Sequence, residues 1–287
     1  MSEDRRSIDD LIARYELEPS LNDIFVEGFF DKEILELHAR ENINKDITFY
    51  EIDTVDINFE ILKKYSLTEG NKQRAIALSK ELNILPHEAN VFCLVDKDLD
   101  HFFEDLKDTK RLKWSLYCSI EGHYLNSKLL NDIVFVTARA KIKDQNDYIQ
   151  SLEIVLKKLY ALRLCDRQLA LNLNWVALKK YLNKKGDQIE FEHLRYIKSL
   201  LNSNNKMSSL NEFNRIYTQW FENINCDIRN CARGHDYTEM LAWSIDNFGG
   251  QKEFSTAAAV ERLFVLLARS ITSLSNEIVR DSIAEAN

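Results

Sequence analysis

The chain has 287 residues, of which 45% are hydrophobic and 29% are charged, so it can form one large domain or two ordinary ones with a substantial core. It lacks an uninterrupted run of 18 apolar residues and an apolar segment behind its first residues, so neither a transmembrane helix nor a signal peptide is expected. Its five cysteines form no Cys-x-x-Cys pair, which argues against zinc or a disulfide framework and favours reduced thiols in a cytoplasmic protein.

The formal net charge of −8 is unevenly distributed along the chain. Residues 1–140 hold 18 Lys and Arg against 28 Asp and Glu, whereas the remaining residues hold 20 against 18. An acidic protein binds nucleic acid poorly without specific contacts, because phosphate contacts depend on Lys and Arg. This balance weakens a nucleic-acid function without excluding it, since local basic patches and bound cations can compensate.

The first half of the chain alternates helical and strand-like patterns. Ser7, with Asp10 three residues later, predicts a capping box at the start of the first helix. Strands that alternate with helices predict a mainly parallel sheet with helices on both sides. The expected segments are a helix at 7–17, a strand at 23–26, a helix at 31–40, a strand at 47–52, a helix at 71–82, a strand at 90–95 and a strand at 114–119.

The second half changes to apolar spacings of three and four residues, which predict helices only. Residues 133–137 are ambiguous between strand and helix, so the division falls near them. We therefore expect an α/β domain over 1–140 and an all-helical domain over 141–287, the latter for dimerisation or for binding a partner or substrate. The expected helices are 147–162, 166–182, 189–201, 210–223 and 254–283, the last broken once.

Acidic residues follow two of the buried strand candidates. Glu27 comes directly after the apolar run 24–26, and Asp96, Asp98 and Asp100 follow the run 91–95 at alternate positions. The carboxyl ends of parallel strands meet at one edge of a sheet, so these acids should lie at the same edge. If the chain stays extended beyond residue 95, the three Asp side chains share one side. Carboxylate oxygens are the ligands that Mg²⁺ prefers, which predicts a divalent-metal site.

Ordinary structural roles remain open for these acids. Asp-x-Asp-x-Asp also occurs at the start of a solvated loop, and Glu27 before Gly28 could cap a strand-to-helix turn. An EF-hand is disfavoured because Gly and Glu are missing at the required loop positions. A Walker A loop is absent, and 70–72 (Gly-Asn-Lys) is only a fragment of such a sequence.

Taken together, the motifs resemble the Toprim domain of topoisomerases, primases and OLD-type nucleases. They are more similar still to the Toprim-like effector nucleases that lie beside an ABC-type ATPase in bacterial anti-phage systems of the PARIS type. The resemblance covers roughly residues 20–130. It rests on Phe25-Val26-Glu27-Gly28-x-x-Asp31, Gly70-Asn71-Lys72, Val95-Asp96-Lys97-Asp98-Leu99-Asp100 and Ser119-Ile120-Glu121.

The resemblance implies a Toprim-like sheet with Mg²⁺, or Mn²⁺ in its place, as the cofactor. It implies catalytic roles for Glu27, Asp96 and Asp98. It also implies supporting roles for Asp31, at or behind the site, and for Lys72, against a phosphate; for each, a position in the first turn of a helix is the alternative. The implied metal ligands are Glu27, Asp96, Asp98, Asp100 and Glu121.

The function that the resemblance implies is a metal-dependent endonuclease acting as a toxic effector of anti-phage defence. RNA, such as tRNA, is favoured over DNA as its substrate. An ABC-type ATPase sensor subunit would hold it inactive, and the active form would be a homodimer. No membrane partner is expected. Two alternatives remain: a non-catalytic Toprim-like scaffold that binds a protein partner, and a phosphotransfer or primase-like enzyme.

A second polar cluster occupies residues 233–236, Arg-Gly-His-Asp. His235 beside Asp236 could be an oriented acid or base that supports the nuclease site, and a loop cap with a surface histidine is the alternative. Lysine pairs recur in the second half and could follow a phosphate backbone or form a solvated face. These pairs are 157–158, 179–180 and 184–185.

Overall fold

The computed structural model describes residues 5–279 and divides the chain into two compact units. The first unit contains the described residues up to 120 together with those from 264 onward, and the second contains 121–263. The sequence predicted a division after residue 140, with the whole C-terminal part in the second domain. The observed division lies about 20 residues earlier, and the described residues from 264 onward belong to the first unit. Among residues 5–279, no helix combines the length and the apolar character needed to cross a membrane.

The first unit is built on a four-stranded parallel sheet with the strand order β2-β1-β3-β4. The α/β class and the parallel sheet are as the sequence predicted. The strands are β1 (Asn22–Val26), β2 (Thr48–Glu51), β3 (Asn90–Val95) and β4 (Leu112–Trp114). The helices of this part are α1 (Ile8–Leu17), α2 (Phe29–Asn42), α3 (Phe59–Lys64) and α4 (Asn71–Glu81).

The two faces of the sheet are covered by different segments. On one face, Phe25 and Cys93 are fully buried in a core shared with α1, α3 and α4. The other face carries α2, against which a segment from the far end of the chain packs. Buried His38 of α2 ties this segment down, because its Nδ1 lies 2.9 Å from the Ala268 carbonyl and its Nε2 lies 2.8 Å from Ser275 Oγ. Residues 264–279 therefore belong to the sheet unit.

Local sequence signals account for most of these elements. The predicted capping box is present, since the Asp10 N–H donates to Ser7 Oγ at 3.1 Å and the Ser7 N–H reaches back to Asp10. The strand predicted at 90–95 is confirmed at both ends. The strand predicted at 114–119 is wrong beyond Trp114, because β4 pairs only through 112–114 and the chain then leaves the sheet.

The second unit is mostly helical, but the prediction of an all-helical domain is wrong. The strands β5 (Leu182–Lys185) and β6 (Gln188–Phe191) form an antiparallel hairpin. Gly186 opens its two-residue turn at φ +62°, a conformation that favours glycine and matches the twist of a tight hairpin. Helical spacing on either side of this short hairpin concealed it.

The helices of the second half differ from the prediction at their ends. The helix predicted at 166–182 is wrong, because α6 ends at Leu169 and both Ala170 and Asn172 take positive φ values. The ambiguous residues 133–137 form the end of a π-helix. The segment predicted at 254–283 is broken after α10, and its last four residues lie outside those described. The helices are α5 (Ser127–Leu130), α6 (Gln145–Leu169), α7 (His193–Ser203), α8 (Leu210–Asn223), α9 (Gly234–Asn247), α10 (Ala257–Leu267) and α11 (Ser275–Ile278).

Candidate active site

Two of the predicted acids lie at the point of the sheet where the strand order reverses. β2 lies on one side of β1 and β3 on the other, so the crevice between the carboxyl ends of β1 and β3 is the switch point at which such sheets bind ligands. Glu27 follows β1 and Asp96 follows β3. The Asp96 N–H donates a 2.9 Å hydrogen bond to Glu27 Oε1, so the two strand ends are directly joined.

Glu27 has an unusual protonation equilibrium. Burial is the main cause that raises the pKa of its carboxyl to about 7, and the nearby carboxylates of Asp98 and Asp100 contribute to the rise. The Asp96 N–H and the Lys72 ammonium act in the opposite direction, because both stabilise the carboxylate. A carboxyl that titrates near neutral pH can both accept and donate a proton under physiological conditions.

Lys72 draws two further acids together. Its Nζ lies 3.2 Å from Asp98 Oδ2 and 2.5 Å from Asp100 Oδ2. Only 13% of the Lys72 side chain is exposed. Burial alone would lower the pKa of Lys72, but the two carboxylates raise it, so the ammonium stays charged. The result is a mixed cluster of three carboxylates and one cation at the edge of the sheet.

The backbone after β3 does not follow the predicted extended path. Asp98 takes φ +46°, and a 3₁₀ turn starts at Asp100. The expectation that strand alternation aligns the Asp side chains is therefore wrong, and Lys72 supplies the convergence of Asp98 and Asp100 instead. Mutual hydrogen bonds fix the loop, as the Asp98 N–H donates to the Cys118 carbonyl at 2.8 Å and Cys118 Sγ donates to the Asp98 carbonyl at 3.3 Å.

Lys97 lies between Asp96 and Asp98 in the loop after β3. Its Nζ donates to the Leu116 carbonyl at 2.7 Å, and its backbone N–H donates to Ser115 Oγ at 3.1 Å. The side chain therefore anchors the loop after β4.

The start of α4 contributes more to the site than the sequence indicated. The Asn71 side chain donates to the backbone carbonyl of Glu27 at 2.8 Å, which holds the helix terminus against the end of β1. Lys72 lies 5.4 Å from the centre of the Trp114 ring, so the ring shields the ammonium on one side. The sequence indicated Asn71 only as part of the Gly-Asn-Lys segment, and Trp114 only as the start of a predicted strand.

A small cavity lies beside the cluster and is lined by further acids. Glu27, Asp31 and Asp96 line it together with Ser115 and Glu277. Asp31 lies in the first turn of α2, as expected. Glu277 is fully buried and accepts a 2.7 Å hydrogen bond from the Leu116 N–H. No sequence pattern pointed to Glu277, because it lies far along the chain in a segment predicted only to be helical.

Glu121, the fifth predicted ligand, belongs to the second unit. Its carboxylate lies against Gly234, the first residue of α9, so closely that a Cβ at that position would overlap it. A carboxylate at a helix N-terminus stabilises the exposed N–H groups there. This contact gives Glu121 a structural role within its own unit.

His235 is not oriented by its neighbour Asp236. The Asp236 carboxylate is buried and forms two hydrogen bonds with Arg163, at 2.7 Å to Nε and 2.6 Å to Nη2. His235 is mostly exposed, and its Nε2 lies 3.3 Å from Glu239 one helical turn later. The cluster at 233–236 therefore forms the start of α9, with Asp236 binding Arg163 inside the unit.

The cluster around Glu27 has suitable chemistry for Mg²⁺. Within residues 5–279, no group of three or more His, Cys, Asp and Glu side chains is arranged to hold a metal ion. Mg²⁺ is usually held by only one or two carboxylates, with water and substrate phosphates completing its shell. Asp98 and Asp100 already hold one cation, the Lys72 ammonium, at their carboxylate oxygens. These oxygens fit the ion, with Glu27 and Asp96 at the same edge of the sheet.

Comparison with known proteins adds no assignment. No protein-family model matches the chain, and none of the curated proteins matches it.

Proposed function

We propose that this chain is a metal-dependent, Toprim-like nuclease that cleaves phosphodiester bonds, with RNA such as tRNA as the favoured substrate. One observation carries the proposal: Glu27, with a pKa of about 7, is hydrogen-bonded to the end of the neighbouring strand at the switch point of a parallel sheet. Asp98 and Asp100 lie beside it around a buried lysine. This combination suits phosphoryl chemistry better than it suits a solvated loop.

The residues have distinct roles in this proposal. When bound, Mg²⁺ would neutralise charge on the scissile phosphate and favour an activated water. Glu27 exchanges a proton with the attacking or leaving oxygen, because its carboxyl titrates near neutral pH. Lys72 binds a non-bridging phosphate oxygen, and Asp98 and Asp100 keep its ammonium charged and directed. Asn71 holds Lys72 and Glu27 in register through the Glu27 carbonyl.

Because the first half of the chain is acidic, a nucleic-acid substrate must be attracted by basic residues elsewhere. The second unit carries exposed lysine pairs at 179–180 and 184–185, which can contact a phosphate backbone. The proposal also includes an ABC-type ATPase subunit that keeps the nuclease inactive, and a homodimer as the released form. In this proposal, release from the ATPase subunit turns the nuclease into a toxic effector of anti-phage defence.

The test is cleavage of tRNA and of plasmid DNA by the protein released from its ATPase partner. Wild type with Mg²⁺ should cut tRNA, and Glu27→Gln, which keeps the size of the side chain, should be inactive. Glu36→Gln removes an exposed acid of α2 and should cut like wild type. If wild type leaves both nucleic acids as intact as Glu27→Gln does, the proposed activity is wrong.

A non-catalytic scaffold is the second candidate. The observation that favours it is the Lys72 ammonium, which already neutralises Asp98 and Asp100 without a metal ion. A scaffold should show no rise in melting temperature with Mg²⁺ or Mn²⁺, whereas a ligand that binds the native state raises it. A titration monitored by thermal melting, with Ca²⁺ and NaCl at equal ionic strength as controls, separates the two candidates.

A further inference from the structure

A second cavity lies in the first unit, away from the acidic cluster. It has a volume of about 470 Å³, within the range of small-molecule sites. Asn22 and Asn90, the first residues of β1 and β3, line it, so it opens at the amino ends of the strands. Glu27 and Asp96 lie at the opposite, carboxyl ends. The two sites are therefore at opposite edges of one sheet.

The lining of this cavity is basic in the more acidic part of the chain. Lys45, Lys110, Arg111 and Lys113 contribute four cations, and Asp108 is the single acid among the described lining residues. The Asp108 carboxylate also accepts a 3.0 Å hydrogen bond from the Trp114 N–H. A local cation excess in a region of net negative charge focuses a positive potential into the cavity.

Arg111 makes this potential a fixed property of the fold. It is 2% exposed, and its guanidinium donates to the backbone carbonyls of Leu85, Pro86, Ala89 and Val91. Carbonyl groups satisfy its hydrogen bonds but do not cancel its charge. Burial and then the Arg111 charge lower the pKa of the neighbouring Lys110, and the Glu88 carboxylate acts in the opposite direction.

The rest of the lining contains an apolar part as well as polar side chains, those of Asn22, His87, Asn90 and Thr109. Ile47, Phe92 and Ile278 form part of the wall, beside the basic groups. A ligand that complements both parts carries several negative charges at one end and a flat apolar group at the other. Among small molecules, nucleotides with two or three phosphate groups have this composition.

We propose that this cavity is a binding site for a nucleoside polyphosphate. Lys45 and Lys110 contact the phosphates, buried Lys113 adds charge to the wall, and the base lies against Phe92 and Ile47. Arg111 holds the wall in place and contributes charge without leaving its carbonyl partners. The proposal does not depend on nuclease activity, because it uses residues at the other edge of the sheet.

The test is equilibrium binding of ATP and of GTP to the full-length protein in EDTA, which removes metal-mediated binding at the acidic cluster. Charge reversal of two lining lysines, Lys45→Glu with Lys110→Glu, should weaken binding by at least about tenfold. Lys107→Glu, an exposed lysine of the same loop outside the lining, should bind like wild type. Glu27→Gln should also keep its affinity, since Glu27 is remote from the cavity.

Three results would overturn the proposal. One is the absence of ATP and GTP binding to wild type at millimolar concentration. The second is equal binding by wild type and by the doubly reversed variant. The third is a double variant that still binds ATP but no longer binds a short oligonucleotide. This result would mean that the lysines bind nucleic acid rather than a nucleotide. Circular dichroism of the double variant should match wild type, because Lys45 is exposed and Lys110 is only half-buried.

Discussion

The Asp96 N–H donates to Glu27 Oε1 at 2.9 Å and so links two residues that are 69 positions apart. This bond joins the carboxyl ends of β1 and β3 at the switch point of the sheet. It also explains why Glu27 can be deeply placed, because a buried carboxyl needs hydrogen-bond partners. The same residue then experiences the negative charge of Asp98 and Asp100.

The first prediction concerns the stability of the metal-free protein against pH. The pKa of Glu27 is about 7 in the folded state and 4.5 by its ordinary value. The folded state therefore binds this proton more tightly than the unfolded state does. The resulting stabilisation is fully present below pH 4.5 and is lost as the pH rises to about 7. Glu27→Gln cannot ionise. Relative to wild type, it should gain roughly 3 kcal/mol in the free energy of unfolding between pH 4.5 and pH 8.

Urea denaturation in EDTA at several pH values measures this difference. Glu36→Gln, at an exposed position of α2, serves as the control and should follow wild type. A constant gap between Glu27→Gln and wild type across the range would contradict a raised pKa for Glu27.

The second prediction concerns the backbone at Asp98. Its φ of +46° disfavours most L-residues, while Gly adopts it freely and Asn tolerates it. We expect Asp98→Ala to be less stable than Asp98→Gly by about 1 kcal/mol, although both lose the carboxylate. Thermal melting in EDTA measures the difference.

Asp98→Asn separates the conformational role from the charge. It should keep a melting temperature near that of Asp98→Gly and lose the stabilisation by Mg²⁺. If Asp98→Ala were as stable as Asp98→Gly, the left-handed conformation would not be a constraint on this loop.

The third prediction concerns the buried pair in the second unit. Arg163→Met leaves the Asp236 carboxylate without its two hydrogen bonds and should lower the free energy of unfolding by about 3 kcal/mol. Adding Asp236→Leu removes the stranded charge and should restore much of the loss. Arg195→Met breaks an exposed pair with Glu192 and should leave stability unchanged. A double variant that is no more stable than Arg163→Met would rule out charge stranding as the cause.

The sequence predicted three of the four strands of this sheet well, because β1, β2 and β3 each carry a local signal, whereas β4 overlaps its predicted segment only at Trp114. The apolar runs at 24–26 and 91–95 are short, bounded and covered on both faces, which is typical of parallel strands. The placement of Glu27 and Asp96 at one edge followed from their positions after those runs. The inference needed only the order of strands and helices along the chain, because the carboxyl ends of parallel strands lie at the same edge of a sheet.

Other parts of the site depend on contacts that leave no local pattern. Glu277 reaches the Leu116 N–H from 161 positions away, and a single Glu in a helical segment gives no hint of this. Asp98 and Asp100 meet through Lys72 after the backbone turns, so an argument from strand alternation could not place them. The hairpin at 182–191 was missed because four-residue strands fit helical spacing equally well.

The last prediction uses Lys72 as the switch between the two candidate functions. Lys72→Met keeps the length of the side chain and removes the ammonium, which leaves Asp98 and Asp100 to repel each other and Glu27. In EDTA the variant should lose about 2 kcal/mol in the free energy of unfolding, a value reduced from that of a fully buried pair because Asp98 is partly exposed. A Mg²⁺ ion can replace the lost charge, so the variant should gain more melting temperature from Mg²⁺ than wild type does. Lys64→Met, which breaks an exposed pair with Glu81 in the same unit, should respond to Mg²⁺ as wild type does. An equal Mg²⁺ response in Lys72→Met and wild type would mean that these carboxylates do not hold the ion, and the scaffold would then be the better account of the cluster.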